Sequence, residues 1–108
     1  MRFMKQYYAQ HVKATVKPGK RDELIQQLQQ LSAELLTGAS GCIYYLISTT
    51  EEPDVVWISE LWTSKEAKDA VATKPESTKA MKEFIPLIVS MTDRTHLTVV
   101  GGTGIDYK

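Results

Sequence analysis

Residues 41–62 read Gly-Cys-Ile-Tyr-Tyr-Leu-Ile-Ser-Thr-Thr-Glu-Glu-Pro-Asp-Val-Val-Trp-Ile-Ser-Glu-Leu-Trp. Gly41 to Thr49 and Val55 to Trp62 are rich in β-branched and aromatic residues, which suit a pleated surface. Glu51-Glu52-Pro53-Asp54 between them has turn chemistry. The stretch therefore reads as a β-hairpin, and both of its faces are apolar. In the first strand Ile43, Tyr45 and Ile47 alternate with Cys42, Tyr44 and Leu46. In the second, Val55, Trp57 and Leu61 alternate with Val56, Ile58 and Trp62. One face can be covered by helices. The other needs a second cover.

Working outward, Tyr7 to Lys17 alternates as a strand, with Tyr8, Gln10, Val12, Ala14 and Val16 on one side. Pro18-Gly19 stops it. Arg21 to Leu36 carries Leu24, Leu28, Leu31 and Leu35 at helical spacing, with a glutamine-rich outer face and Gly38 just past its end. Thr63-x-x-Glu66 reads as a capping box that opens a short helix. Lys74-Pro75-Glu76 starts a further helical segment whose apolar side is Met81, Phe84 and Ile85, and Pro86 ends or kinks it. Thr92 to Val100 is the last strand, and 101–108 is a tail. Gly101-Gly102-Thr103-Gly104 leads to no helix, so it is a weak phosphate-loop signal.

The order is β-α-β-β-α-β. This is the α+β, ferredoxin-like split βαβ fold: a four-stranded antiparallel sheet with helices on one face. A monomer would leave the other sheet face polar. Here it is apolar, and a second copy of the same sheet is the simplest cover, giving a homodimer through the sheet face.

The chain has 108 residues, so one domain (1–108, core about 7–100) is expected. Thirteen basic and thirteen acidic side chains leave no net charge, which argues against nucleic acid as a partner. No apolar run approaches the ~20 residues of a membrane span, and Met1 to Gln10 lacks a leader's apolar core. Cys42 is the one cysteine, which fits a reducing, cytoplasmic setting. With two histidines beside it, no metal site is expected.

Glu60-Leu61-Trp62-Thr63-Ser64-Lys65-Glu66-Ala67, followed by Asp69-Ala70, resembles the antibiotic biosynthesis monooxygenase family: E-x-W at a strand end, then S-x-E-A opening a helix. Val16-Lys17-Pro18-Gly19-Lys20 resembles that family's exit from the first strand. The family's element order spans roughly Tyr7 to Val100. The resemblance implies a dimeric α+β barrel, with a pocket between sheet and helices in each protomer. It implies oxygenation of phenols, anthrones or quinols by dioxygen with no cofactor: no flavin, haem or metal. Many relatives carry histidine where this chain has Val71. A haem-degrading branch carries tryptophan near Val71, histidine near Met81 and asparagine near His11 and Val12, and this chain has none of the three.

Such chemistry asks for an apolar slot and one or two polar groups that hold a proton and a developing oxyanion. The catalytic candidates are Trp62, matched by the resemblance, and His11 and His96, the side chains that titrate near neutrality. His11 and His96 lie on neighbouring strands. Sheet packing is the plainer role for all three. Substrate contact is assigned to Tyr44, Glu60, Val71, Met81 and Phe84. Tyr44 and Tyr45 point to opposite faces, so one of the two reaches the pocket. Cys42 reads as a small buried hydrophobe without an adjacent base. The leading reading is a cofactor-independent monooxygenase of a small aromatic, quinol-like substrate. Its rivals are a non-catalytic, small-molecule-binding dimeric domain, and an isomerase or decarboxylase that uses His11 or His96.

Overall fold

A computed structural model describes residues 7–104. The leader reading of Met1 to Gln10 falls partly, and the last four tail residues wholly, outside them. The elements are β1 (Tyr7–Val16), α1 (Arg21–Leu35), β2 (Cys42–Thr49), β3 (Val55–Trp62), α2 (Lys65–Ala72), α3 (Pro75–Phe84) and β4 (Ile88–Val99). Short 3-10 turns occupy Gly38–Ser40 and Ile85–Leu87. The strands lie in the order β2-β3-β1-β4, and every neighbouring pair is antiparallel. This is the ferredoxin-like α+β arrangement that the element order predicts.

The core sits between sheet and helices. Val12, Ala14 and Val16 of β1 and Val56 and Ile58 of β3 pack with Leu24 and Leu28 of α1 and Phe84 of α3. The alternation of β1 and the leucine repeat of α1 put these side chains on facing surfaces. Each large aliphatic chain withdrawn from water contributes about 1.5–3 kcal/mol. Pro75 stands in the first turn of α3, where its missing N–H costs no hydrogen bond.

Three local readings change. The cap of α2 is Ser64, not Thr63: Ser64 Oγ accepts from the Ala67 N–H at 3.0 Å. Thr63 is engaged elsewhere, its N–H donating to the Gly41 carbonyl at 2.8 Å. β4 begins at Ile88, because Pro86 is confined to a single 3-10 turn and the apolar residues after it pair with β1. In β2 an irregularity between Cys42 and Tyr44 pairs Cys42 with Trp62 but Tyr44 with Leu61. Cys42 therefore shares the helix-side face with Tyr45, not the opposite face with Tyr44 and Leu46.

The side of the sheet away from the helices carries rows that run across all four strands. Tyr44, Leu61, Ala9 and Leu97 form one row; Leu46, Ser59, His11 and Thr95 form the next. Tyr7, Ala9 and Leu61 are buried there, with Val99 packed on them. Tyr44, Leu46 and Leu97 are 38, 52 and 41% exposed.

Gly41 ties the start of β2 to the β3–α2 corner. Its φ is +88°, and a Cβ there would stand 2.7 Å from the Ala67 Cβ and 2.9 Å from Thr63 Oγ1. Both the left-handed backbone and the close approach require glycine. Gly41→Ala is expected to destabilise the fold by ~2 kcal/mol or more. Chemical denaturation would show this as a lower midpoint with unchanged slope.

Candidate active site

On the two central strands, β1 and β3, the helix-side face is apolar except for one row. The register places Tyr45 (β2), Glu60 (β3), Gln10 (β1) and His96 (β4) side by side across it. Trp62 and Tyr8 border the row on one side, Ile58 and Val12 on the other. Glu60 is 8% exposed and Gln10 is 2% exposed. Glu60 Oε1 accepts from Trp62 Nε1–H at 3.0 Å, and Oε2 accepts from Gln10 Nε2–H at 3.2 Å. Both oxygens thus act as acceptors, as an ionised carboxylate does. No ion pair reaches Glu60 among the described residues. Its burial is offset by two neutral donors, and each oxygen keeps accepting capacity for a ligand.

A cavity of about 250 Å³ opens above this row. Its floor includes Gln10, Glu60, Trp62 and Tyr45; its walls include Leu24, Leu28, Val71, Met81 and Phe84. A cavity of roughly 150 Å³ takes a benzene ring, so this one takes a compound of one or two rings. Ser77, buried at the α2–α3 corner, donates through Oγ–H to the Val71 carbonyl at 2.7 Å, which fixes that part of the wall.

The structure brings Trp62, Glu60, Val71, Met81 and Phe84 together around one space. It does not bring Tyr44 there. The strand alternation leaves Tyr44 on the opposite face and puts Tyr45 in the cavity. The two histidines share no site either. His11 lies on the face away from the helices, where Nδ1 and Ser59 Oγ are 2.9 Å apart. His96 lies on the helix side but is exposed at the edge strand and does not line the cavity. Its Nδ1 is hydrogen-bonded to the Tyr8 hydroxyl, and that hydroxyl donates to Gln10 Oε1 at 3.4 Å. His96 therefore reaches Glu60 only through Tyr8 and Gln10. Gln10 was absent from the expected site, although a lone amide among the inward residues of an apolar strand marks it in the sequence.

Ionisation in and beside the cavity is biased toward protonated donors. Burial, then the nearby Glu60 charge and Cys42, raises the Tyr45 hydroxyl well above the ordinary tyrosine range. The Tyr45 hydroxyl makes no hydrogen bond among the described residues, so it is free to donate to a ligand oxygen. Burial, then Glu60, pushes the Cys42 thiol up to about 11. Among the described residues no three His, Cys, Asp or Glu side chains converge as a metal site would require.

The sequence model of antibiotic biosynthesis monooxygenases matches residues 7–83. The chain belongs to this family. A protein of Chloroflexus aurantiacus J-10-fl, named provisionally as an antibiotic biosynthesis monooxygenase (ABM), is 31% identical to this ABM domain, with a TM-score of 0.81 over 93% of this chain and 99% of that one. A Caulobacter crescentus CB15 protein, named in the same provisional way, is 19% identical with a TM-score of 0.81, covering 92% and 94% of the two chains. PA3566 of Pseudomonas aeruginosa is 17% identical with a TM-score of 0.77, covering 93% and 100%. The last two show likeness of fold alone. No curated protein matches the chain.

Two outcomes follow for the ABM domain. Alkylation of Cys42 by iodoacetamide is expected to rise with a midpoint near pH 11, since the thiolate is the reactive form. Trp62→Phe strips Glu60 Oε1 of its donor and is expected to cost about 1–3 kcal/mol in denaturant unfolding.

Proposed function

We propose that this ABM domain is a cofactor-independent monooxygenase of a small hydroxylated aromatic substrate. The observation that carries the reading is the Glu60 carboxylate, held by Gln10 and Trp62 on the floor of an apolar cavity beside the protonated Tyr45 hydroxyl. Glu60 takes a proton from the substrate, the ring methylene of a naphthol's keto tautomer for example, leaving an electron-rich carbanion. The Tyr45 hydroxyl donates to the phenolic or carbonyl oxygen that shares the charge. Dioxygen adds at the carbanion carbon, and Glu60 returns its proton to the resulting peroxide. The O–O bond then breaks. One oxygen stays as a ketone and the other leaves as water with the remaining hydrogen of that carbon. The balance is R2CH2 + O2 → R2C=O + H2O, with all four electrons supplied by the substrate. The apolar walls orient the rings and exclude water.

Trp62 acts by holding Glu60, and His96 acts at a distance through Tyr8 and Gln10. His11 has no part in the step, because it lies on the other side of the sheet. A second copy of the chain covers that face, buries Leu46, Leu97 and Tyr44, and completes a homodimeric barrel. The protonated, unpaired Cys42 fits a reducing cytoplasmic setting.

Oxygen uptake with naphthols and hydroquinones, in the presence of chelator and corrected for autoxidation, tests the reading. Uptake above background is expected, with Glu60→Gln lowering it on the order of 100-fold. Binding without uptake would instead make this a binding domain. Product formed under argon would make it a non-redox enzyme. Sedimentation is expected to give a dimer for the parent chain and a monomer for Leu46→Glu; a parent monomer would contradict the covered face.

A further inference from the structure

The cavity carries charge at one further place. Lys68 of α2 and Arg94 of β4 both line it. Lys68 is half-buried and Arg94 is exposed, so this part of the cavity lining is in contact with solvent. Neither makes an ion pair among the described residues. The acid beside Lys68 is already engaged: Asp69 accepts from Lys65 Nζ at 2.8 Å. The floor is the reverse. There Glu60 offers only acceptor capacity and has no cation, so it repels an anionic ligand end and welcomes an O–H donor. The cavity is thus polarised along its depth, with an acceptor inside, apolar walls between, and two unpaired cations at the rim.

We infer that the ligand of this cavity is a hydroxylated aromatic acid of one or two rings, its hydroxyl directed to Glu60 and its carboxylate to Lys68 and Arg94. The assignment rests on reading the cavity as the substrate site, and it narrows that site from phenols in general to acidic ones. Lys68 and Arg94 are then specificity-determining residues. Their contribution is that of partly exposed ion pairs, so together they are worth on the order of tenfold in affinity. Salt screens such pairs.

Calorimetric titration of the intact chain with 6-hydroxy-2-naphthoate, 2-naphthol and 2-naphthoate tests this without depending on turnover. At low salt, 6-hydroxy-2-naphthoate is expected to bind about tenfold more tightly than 2-naphthol, which lacks the acid. It is also expected to bind more tightly than 2-naphthoate, which lacks the hydroxyl. In the Lys68→Gln/Arg94→Gln double variant, and at high salt, the preference over 2-naphthol should fall to within about twofold. Equal or tighter binding of 2-naphthol would overturn the inference, as would a preference that survives in the double variant. Failure of all three compounds to bind would overturn it together with the reading of the cavity. The predicted preference without any oxygen uptake would sustain the inference while removing the monooxygenase.

Discussion

The structure depends on how one buried carboxylate is satisfied. Glu60 sits in an otherwise apolar stretch of sheet, where an unpaired charge would cost several kcal/mol. Its two oxygens are met by an indole N–H from two residues along its own strand and by an amide from the neighbouring strand. Neither donor carries a charge. The carboxylate is therefore held in place without being neutralised, and its remaining lone pairs face the cavity. Replacing either donor by a cation would pair off the charge and occupy the side of the carboxylate that meets a ligand. Leaving it without donors would destabilise the fold. The geometry stands between these limits.

The rest of the architecture keeps that row in position. β1 and β3 must be in register for Gln10 to reach Glu60, and the leucines of α1 clamp both strands from above. The Gly41 corner, with Thr63 bonded back to it, sets where β3 ends, and hence where Trp62 points. Ser77 ties α3 to the last turn of α2, so that Val71 closes the wall on the helix side. The row continues outward through Gln10 and Tyr8 to His96, which links the buried carboxylate to an exposed titratable group at the sheet edge. Because an amide is one member of this chain, it orients hydrogen bonds and does not carry a proton along its length.

Much of this was legible in the residues. The hydrophobic alternation of β1 and β3, the leucine repeat of α1 and the turn at Pro18-Gly19 each have one reading, and together they fix the order of elements. Glu60 and Trp62, two residues apart on a strand, had to share a face. What could not be read was register. A one-residue slip moves every side chain of a strand to the other face, and the irregularity in β2 made that slip between Cys42 and Tyr44. It moved Cys42 to the helix side, while the register of β2 on β3 set Tyr44 against Leu61, away from the cavity, and Tyr45 against Glu60, inside it. The same ignorance of register left His11 and His96 free to be imagined together, although they face opposite ways. Gln10 was in view as an inward strand residue, but its partner lies 50 positions away, and only the folded sheet joins them.

The two tryptophans offer the most direct test, because Trp62 lies on the helix side and Trp57 on the other face of the same strand. The indole N–H resonances of both can be followed by NMR during titration with a hydroxyaryl ligand. The account predicts that the Trp62 signal, already shifted downfield by its bond to Glu60, moves with saturation while the Trp57 signal stays still. Movement of Trp57 with Trp62 unchanged would contradict it, since the ligand would then lie on the face away from the Glu60 carboxylate.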